Sequence, residues 1–246
     1  MFTNRGFQAA GLTAILATSA VAQTSNANAE GRDNAFTDFL RRSSVNIAVE
    51  QMRPQGALAR NIGLGYGISG AYLLRLDSQG VLSLRADAAA MQYGNERQEV
   101  PFSETVGGRV RVNVRTTNYI APLSVGPQLA WPSGPIRPYV NAGVGAQGFF
   151  TVSDVEGTDN FMALASTTNQ SDVAMMWVAG GGIYVPVVPR LTRVQLDVGM
   201  QYVFGDRARY LAPGSIVDLP GGQVRISSLE SATRLVKLHI GARIGL

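Results

Sequence analysis

The chain has 246 residues, of which 46% are hydrophobic and only 15% charged, with a formal net charge of +4 at pH 7. Soluble domains average about 25% charged residues, so uncharged Gly, Ser, Thr, Asn and Gln carry most of the polarity here. With no cysteine and one histidine, His239, disulfide frameworks, thiolate metal centres and multi-histidine metal sites are excluded. The small, scattered positive excess excludes an electrostatic nucleic-acid footprint, and nothing in the composition implies a cofactor.

The first element in chain order is a targeting segment. Arg5 followed by "GLTAILATSAVA" has the charge and length of a secretory leader, with A-x-A sites at Ala20-Val21-Ala22 and Ala27-Asn28-Ala29. A signal peptide over residues 1–22 is expected, a buried N-terminal helix being the alternative. Residues 23–43 are polar and small and read as a periplasmic linker, with a helical turn over 35–42 behind the cap-like Asp33-Asn34. Beyond the leader no run of 18 apolar residues exists. The most apolar window, "MMWVAGGGIYVPVV", is broken by three glycines and a proline.

From Ser44 onward the chain alternates apolar and polar residues with period two, the signature of half-buried strands. Eight strands are expected, at about 44–52, 62–76, 81–93, 110–131, 138–150, 173–185, 191–205 and 233–246. The connections "DSQG" (77–80), "PSGPIRP" (132–138) and "PVVPR" (186–190) are short and turn-like. Those at 53–61, 94–109, 151–172 and 206–232 are long and polar, and they alternate with the short ones. Within 206–232, "SIVDLPGGQVRISSL" reads as a hairpin around Leu219-Pro220-Gly221-Gly222. The fourth strand changes parity between Val114 and Tyr119, which requires either a bulge near Thr116–Asn118 or a separate hairpin.

The fold class is therefore all-β: an eight-stranded antiparallel up-and-down barrel over residues 44–246, with all short turns at one end and all long loops at the other. Alternation fits a soluble barrel around a lipophilic ligand as well as a membrane barrel with inverted faces. Three features favour the membrane. The polar face is rich in Gly, Ala, Ser and Asn rather than Lys and Glu. The strands are long enough for tilted spans of roughly 9–11 residues. Aromatics gather near strand ends, with Trp131 and Tyr184 by the short turns and Tyr93, Phe150, Tyr202 and Phe204 by the long loops.

Two stretches carry a resemblance. "HIGARIGL" resembles the C-terminal assembly signal of bacterial outer-membrane barrels, with His239, Gly241, Ile244 and Leu246 at its pattern positions and leucine in place of the usual terminal aromatic. "PIRPYVNAGVGA" resembles a stretch common in the small outer-membrane β-barrel domain family (OmpA/OmpX-like). The resemblance covers roughly residues 44–246. It implies an outer-membrane location in a Gram-negative-type envelope, insertion by the barrel-assembly machinery, short periplasmic turns, long extracellular loops, and no single activity.

The inward-facing charges are Glu50, Arg75, Arg85, Asp87, Arg193, Asp197, Lys237 and Arg243, with His239 among them. An eight-stranded interior is just filled by side chains, so this cluster reads as a paired plug rather than a pore. His239 lacks a His-x-Ser context and lies about eight residues from the short-turn end, so a lipid-modifying enzyme stays a third reading behind a structural or surface-interaction barrel and a soluble lipid binder. The soluble reading requires Leu82, Leu84, Val194, Leu196 and Leu238 to face a cavity. The loop acids Asp154, Glu156, Asp159 and Asp172 match no EF-hand spacing. Arg207, Arg209, Arg225 and Arg234 are candidates for contact with lipopolysaccharide phosphates. No catalytic, cofactor or metal residue is assigned, and the surface partner is left open.

Overall fold

A strand whose edge meets no water must find another strand, and a row of alternating strands meets that demand only by closing on itself. The computed structural model describes residues 37–101, 111–156, 163–187, 193–219 and 223–246. The expected leader and most of the linker lie outside these residues. In chain order the strands are β1 (Ser43–Pro54), β2 (Gly65–Arg75), β3 (Leu82–Pro101), β4 (Arg111–Ala130), β5 (Arg137–Glu156), β6 (Ala163–Pro186), β7 (Val194–Gly205), β8 (Arg207–Tyr210), β9 (Ile216–Leu219), β10 (Gln223–Ile226), β11 (Leu229–Ala232) and β12 (Leu235–Gly245). The closed barrel has the order β1-β12-β7-β6-β5-β4-β3-β2. The seam joins β1 to β12 antiparallel, from Ser44 opposite Gly245 to Pro54 opposite Leu235. The eight-stranded antiparallel barrel expected from the alternation is the architecture observed.

The short-turn end is tied by local bonds. Residues 38–41 are helical, and Ser43 Oγ donates to the Phe39 carbonyl at 2.9 Å while Phe39 stacks on Tyr72 with centroids 6.5 Å apart. The Arg75 amide donates to the Arg42 carbonyl at 2.9 Å. In the β2–β3 turn, Gly80 takes φ +76°, and the Asp77 carboxylate accepts the amides of Val81 and Leu82 at 3.0 Å each.

The long-loop end departs from the expected boundaries. β3, β5 and β6 run on through stretches read as loop, to Pro101, to Glu156 and from Ala163, whereas β4 begins at Arg111, within its expected bounds. Beyond the rim both faces of a strand meet water, so apolar alternation fades although the backbone ladder persists. Pairing there continues from Val114 opposite Gln98 to Asn113 opposite Glu156. Arg111–Ala130 form one strand, β4, which removes the hairpin alternative. The register shift is on the neighbouring strand: Gln92 faces Tyr119 and Gly94 faces Asn118, so the extra residue is Tyr93 of β3 rather than one at 116–118 of β4. A bulge resets the parity only of the strand that carries it. β4 keeps one parity against β5 from Asn113 to Val125, so the expected bulge at Thr116–Asn118 is absent, and Val114 lies in the stretch beyond the rim where apolar alternation fades.

The loop between β7 and β12 holds two small ladders. β9 pairs with β10 across residues 220–222, as the hairpin reading of this stretch anticipates, and β8 pairs with β11. β8 turns back onto the barrel. The Asp206 amide donates to the Met175 carbonyl at 2.9 Å, and the Arg209 amide to Asp172 Oδ2 at 2.6 Å. Tyr210 is fully buried, its ring 5.6 Å from that of Phe149. Together with Leu58 from the 3-10 turn Leu58–Arg60, Tyr210 closes an apolar cluster that includes Met52, Met91, Ile120, Phe149 and Leu235.

Desolvation acts to raise the pKa of the Asp77 carboxyl, but the backbone donors, Val81 and Leu82 foremost, prevail and hold it below its ordinary value. The stabilising contribution of a depressed carboxylate is present above its unfolded-state pKa, about 4 for aspartate, and is lost as pH falls through the lower folded value. Asp77→Asn should flatten the acid limb of thermal stability in detergent below about pH 4 and leave the profile near neutrality parallel to that of the parent. An unchanged acid limb would remove Asp77 from that role.

Candidate functional site

The outer wall is apolar along every barrel strand. Ile47, Ile68, Leu123, Val140, Val173, Trp177, Met200 and Ile240 all point outward, with Trp177 the most exposed at 67%. Contiguous apolar surface of this extent is not sustained in water on a monomer. Trp131, Phe150 and Phe204 stand on the outer face near the strand ends, whereas Tyr93 and Tyr184 do not. Both are buried in the lumen, at 5% and 0% exposure, which corrects their expected place in an aromatic girdle. Strand-end position fixes height along the barrel, but parity fixes the side, and these two tyrosines have lumen parity. Leu84, Leu196 and Leu238 also face outward, so they line no internal cavity.

The short-turn half of the lumen holds a hydrogen-bonded polar core. Asp197 on β7 is completely buried. Its Oδ2 accepts from Asn46 Nδ2 at 2.5 Å and its Oδ1 from Tyr139 Oη at 2.8 Å. His239 on β12 places Nε2 3.0 Å from Tyr139 Oη and 3.4 Å from Asp197 Oδ2. This packing needs Gly199, which pairs with His239. A Cβ at Gly199 would lie 2.6 Å from His239 Cε1 and 2.7 Å from Tyr139 Oη.

A second cluster surrounds Arg85. Its Nε donates to both Asp87 oxygens at 2.8 and 2.9 Å, and its Nη1 to Gln128 Oε1 at 3.0 Å. Tyr184 Oη bonds the same glutamine. A third pair joins Lys237 Nζ to Glu50 Oε1 at 3.5 Å, both side chains at most 5% exposed. Closer to the short turns, Arg243 Nε donates to Ser44 Oγ at 3.0 Å, and its guanidinium lies 4.6 Å over the Tyr184 ring. Arg75 donates to the Arg41 carbonyl at 2.7 Å, and Arg193 is exposed at the mouth.

The structure thus groups the inward charges as Asp197 with His239, Arg85 with Asp87, and Glu50 with Lys237, and leaves Arg75, Arg193 and Arg243 at the mouth. Asn46, Gln128, Tyr139 and Tyr184 complete these clusters and escaped the sequence reading. Their signal was parity alone: each shares the face of its strand that carries the glycines, serines and charges. Of the pattern residues near the end of the chain, His239 faces the lumen while Ile244 and Leu246 face outward. Gly241 packs so tightly on β1 that a Cβ would run into Ile47 and Ala48.

The long-loop half of the lumen holds the apolar cluster closed by β8, beside the buried polar pairs Gln147–Thr233 and Thr151–Asn118. Met176 and Val178 of β6 belong to the apolar cluster. Among the loop residues, Arg207 and Arg209 reach Glu230 at 3.9 and 3.3 Å. Asp172 accepts the Arg209 and Val173 amides, and Asp159 lies outside the described residues. Among the described residues no group of three or more His, Cys, Asp or Glu side chains could hold a metal.

A closed eight-stranded barrel, apolar outside and polar or packed inside, is a membrane-spanning β-barrel of the outer-membrane type. No family model matches the chain, and no curated protein does. Solved structures similar to it include Neisserial surface protein A, at 14% identity and a TM-score of 0.42 over 83% of this chain and 97% of that one. The attachment invasion locus protein Ail of Yersinia pestis is similar at 13% identity and a TM-score of 0.41, over 82% and 97%. A major outer membrane protein from Thermus thermophilus is similar at 13% identity and a TM-score of 0.41, over 81% and 98%.

The Glu50–Lys237 pair is a direct test of the lumen. Lys237→Met leaves a buried carboxylate unpaired and should cost about 3–5 kcal/mol. Adding Glu50→Gln should recover most of that loss, because a neutral pair replaces the orphaned charge. Guanidinium unfolding of the detergent-solubilised barrel reads both values. Equal losses in the single and double variants would mean that the pair is not coupled.

Proposed function

We propose that the protein is an outer-membrane barrel of a Gram-negative-type envelope that is closed to conduction and serves a structural or surface-interaction role. The short turns then lie in the periplasm and the long loops outside the cell, with the leader directing export. The observation that carries the reading is the occluded lumen. The long-loop half is packed with Met52, Met91, Ile120, Phe149 and Tyr210, and the other half is cross-bonded around Asp197 and Arg85. Loops on a rigid scaffold are the usual carriers of interaction, and β3–β6 raise such a surface beyond the rim. Outer-leaflet lipopolysaccharide is the partner suggested for Arg225 and Arg234, whereas Arg207 and Arg209 are already engaged by Glu230.

A soluble carrier of a lipophilic ligand finds no support, since its ligand-facing leucines point outward. A lipid-modifying enzyme finds little, because the partners of His239 are Tyr139 and Asp197, held in the lumen away from the outer rim.

In planar bilayers the refolded protein should give no stepwise conductance, and in cells it should fractionate with outer membranes and migrate heat-modifiably on gels. Discrete open channels would overturn the closed reading, and recovery without detergent from the periplasm would overturn the membrane one. The C-terminal pattern of Gly241, Ile244 and Leu246 is proposed to serve insertion by the assembly machinery. Removing Gly245-Leu246 should sharply lower the amount inserted in cells, while refolding from urea into detergent keeps most of the thermal stability. Equal failure in both settings would make the two residues structural.

A further inference from the structure

The short-turn mouth of the lumen opens into a cavity of about 420 Å³ lined by Arg41, Arg42, Arg75, Arg137, Arg193 and Arg243. Its remaining lining is serine, glutamine, glycine and leucine, with no acidic side chain among the described residues. Among the described residues only Arg42 has a carboxylate partner there, Asp38 at 2.9 Å. The lumen carboxylates one layer deeper are already engaged, Asp87 by Arg85 and Asp197 by Asn46 and Tyr139. Guanidinium groups stay charged under all physiological conditions, so among the described residues the mouth concentrates positive charge.

Several of these side chains are also held in place. Arg137 Nε donates to the Trp131 carbonyl at 2.9 Å, Arg75 to the Arg41 carbonyl at 2.7 Å, and Arg243 to Ser44 while covering the Tyr184 ring. Each bond engages one edge of a guanidinium and leaves other N–H groups to act as donors, the fork geometry that suits a tetrahedral oxyanion. Four of the six arginines come from different barrel strands or turns, so closure of the barrel assembles the group: Arg75 ends β2, Arg137 opens β5, Arg193 precedes β7 and Arg243 lies on β12.

We infer that the short-turn mouth is a binding site for an oligophosphate anion, gripped by the six arginines at once. The volume exceeds what one orthophosphate needs, and the spread of donors fits linked phosphoryl groups. The same chemistry is available from a soluble oligophosphate and from the headgroup of an anionic lipid. The inference requires the closed barrel but neither its location nor its role in a membrane.

The test uses the refolded full chain in zwitterionic detergent, titrated with inorganic triphosphate and followed by calorimetry and by the fluorescence of Trp131, whose carbonyl holds Arg137. Saturable binding that weakens with salt and exceeds that of orthophosphate is expected. Arg41→Gln with Arg193→Gln removes two exposed side chains that make no ion pair among the described residues. Arg137→Gln with Arg243→Gln removes the two anchored ones. Each double variant should raise Kd roughly tenfold or more, and heat-modifiable migration verifies that it is folded. Arg53→Gln with Arg60→Gln, exposed at the opposite end, should leave Kd unchanged. Repeating the titration in nanodiscs separates the sources. Loss of triphosphate binding in phosphatidylglycerol but not in phosphatidylcholine assigns the site to a lipid headgroup, and equal binding in both assigns it to a soluble anion. No saturable binding, or equal weakening by mouth and long-loop variants, would overturn the site.

Discussion

Everything in this protein follows from the closure of β1 on β12. In an apolar surrounding each unpaired backbone group costs several kcal/mol, so no strand of the sheet can be left as an edge. Eleven residue pairs from Ser44–Gly245 to Pro54–Leu235 complete the ring. The ring sets inside against outside for every residue on it, because side chains alternate across a strand. An apolar exterior then obliges the chain to put its polar residues into a narrow interior, where each must find a partner.

Two solutions to that obligation are stacked in one lumen. Around Asp197 and Arg85 the partners are mostly neutral: asparagine, glutamine and two tyrosines distribute the charge through short hydrogen bonds. A buried charge bonded in this way avoids the desolvation penalty that an isolated ion would carry. Towards the long loops the interior becomes apolar and is sealed by Tyr210 and Leu58, which come from connections rather than from barrel strands. The barrel is thus solid by two different means, and the change between them falls near the bulge at Tyr93, whose hydroxyl bonds the Leu211 carbonyl at 2.9 Å.

The two ends differ in kind. Short turns and the strand ends beside them gather arginines around one cavity, while the other end extends four strands into a tall wall and folds the last long loop back over the lumen. This asymmetry gives the molecule a charged mouth and a shaped surface. The same rigid cylinder separates them, so each can vary without disturbing the other.

The sequence by itself determined the number of barrel strands, the alternation of short and long connections, and which residues of a strand share a face, because period two is a local property of the chain. It also marked β9–β10 as a hairpin. Parity carried the tyrosines too, but a reading by height along the strand assigned Tyr93 and Tyr184 to the wrong face. Tertiary structure alone decided the partners of the inward charges. Asp197 meets Asn46, 151 residues away, and Tyr139, 58 residues away, and no local pattern encodes such meetings. It also decided that the bulge lies at Tyr93 of β3 and that β4 has none, and that β8 folds inward rather than projecting. Contacts between remote strands depend on ring closure, and the mouth arginines, spread from Arg41 to Arg243, become one group only when the cylinder brings its turns to a single rim.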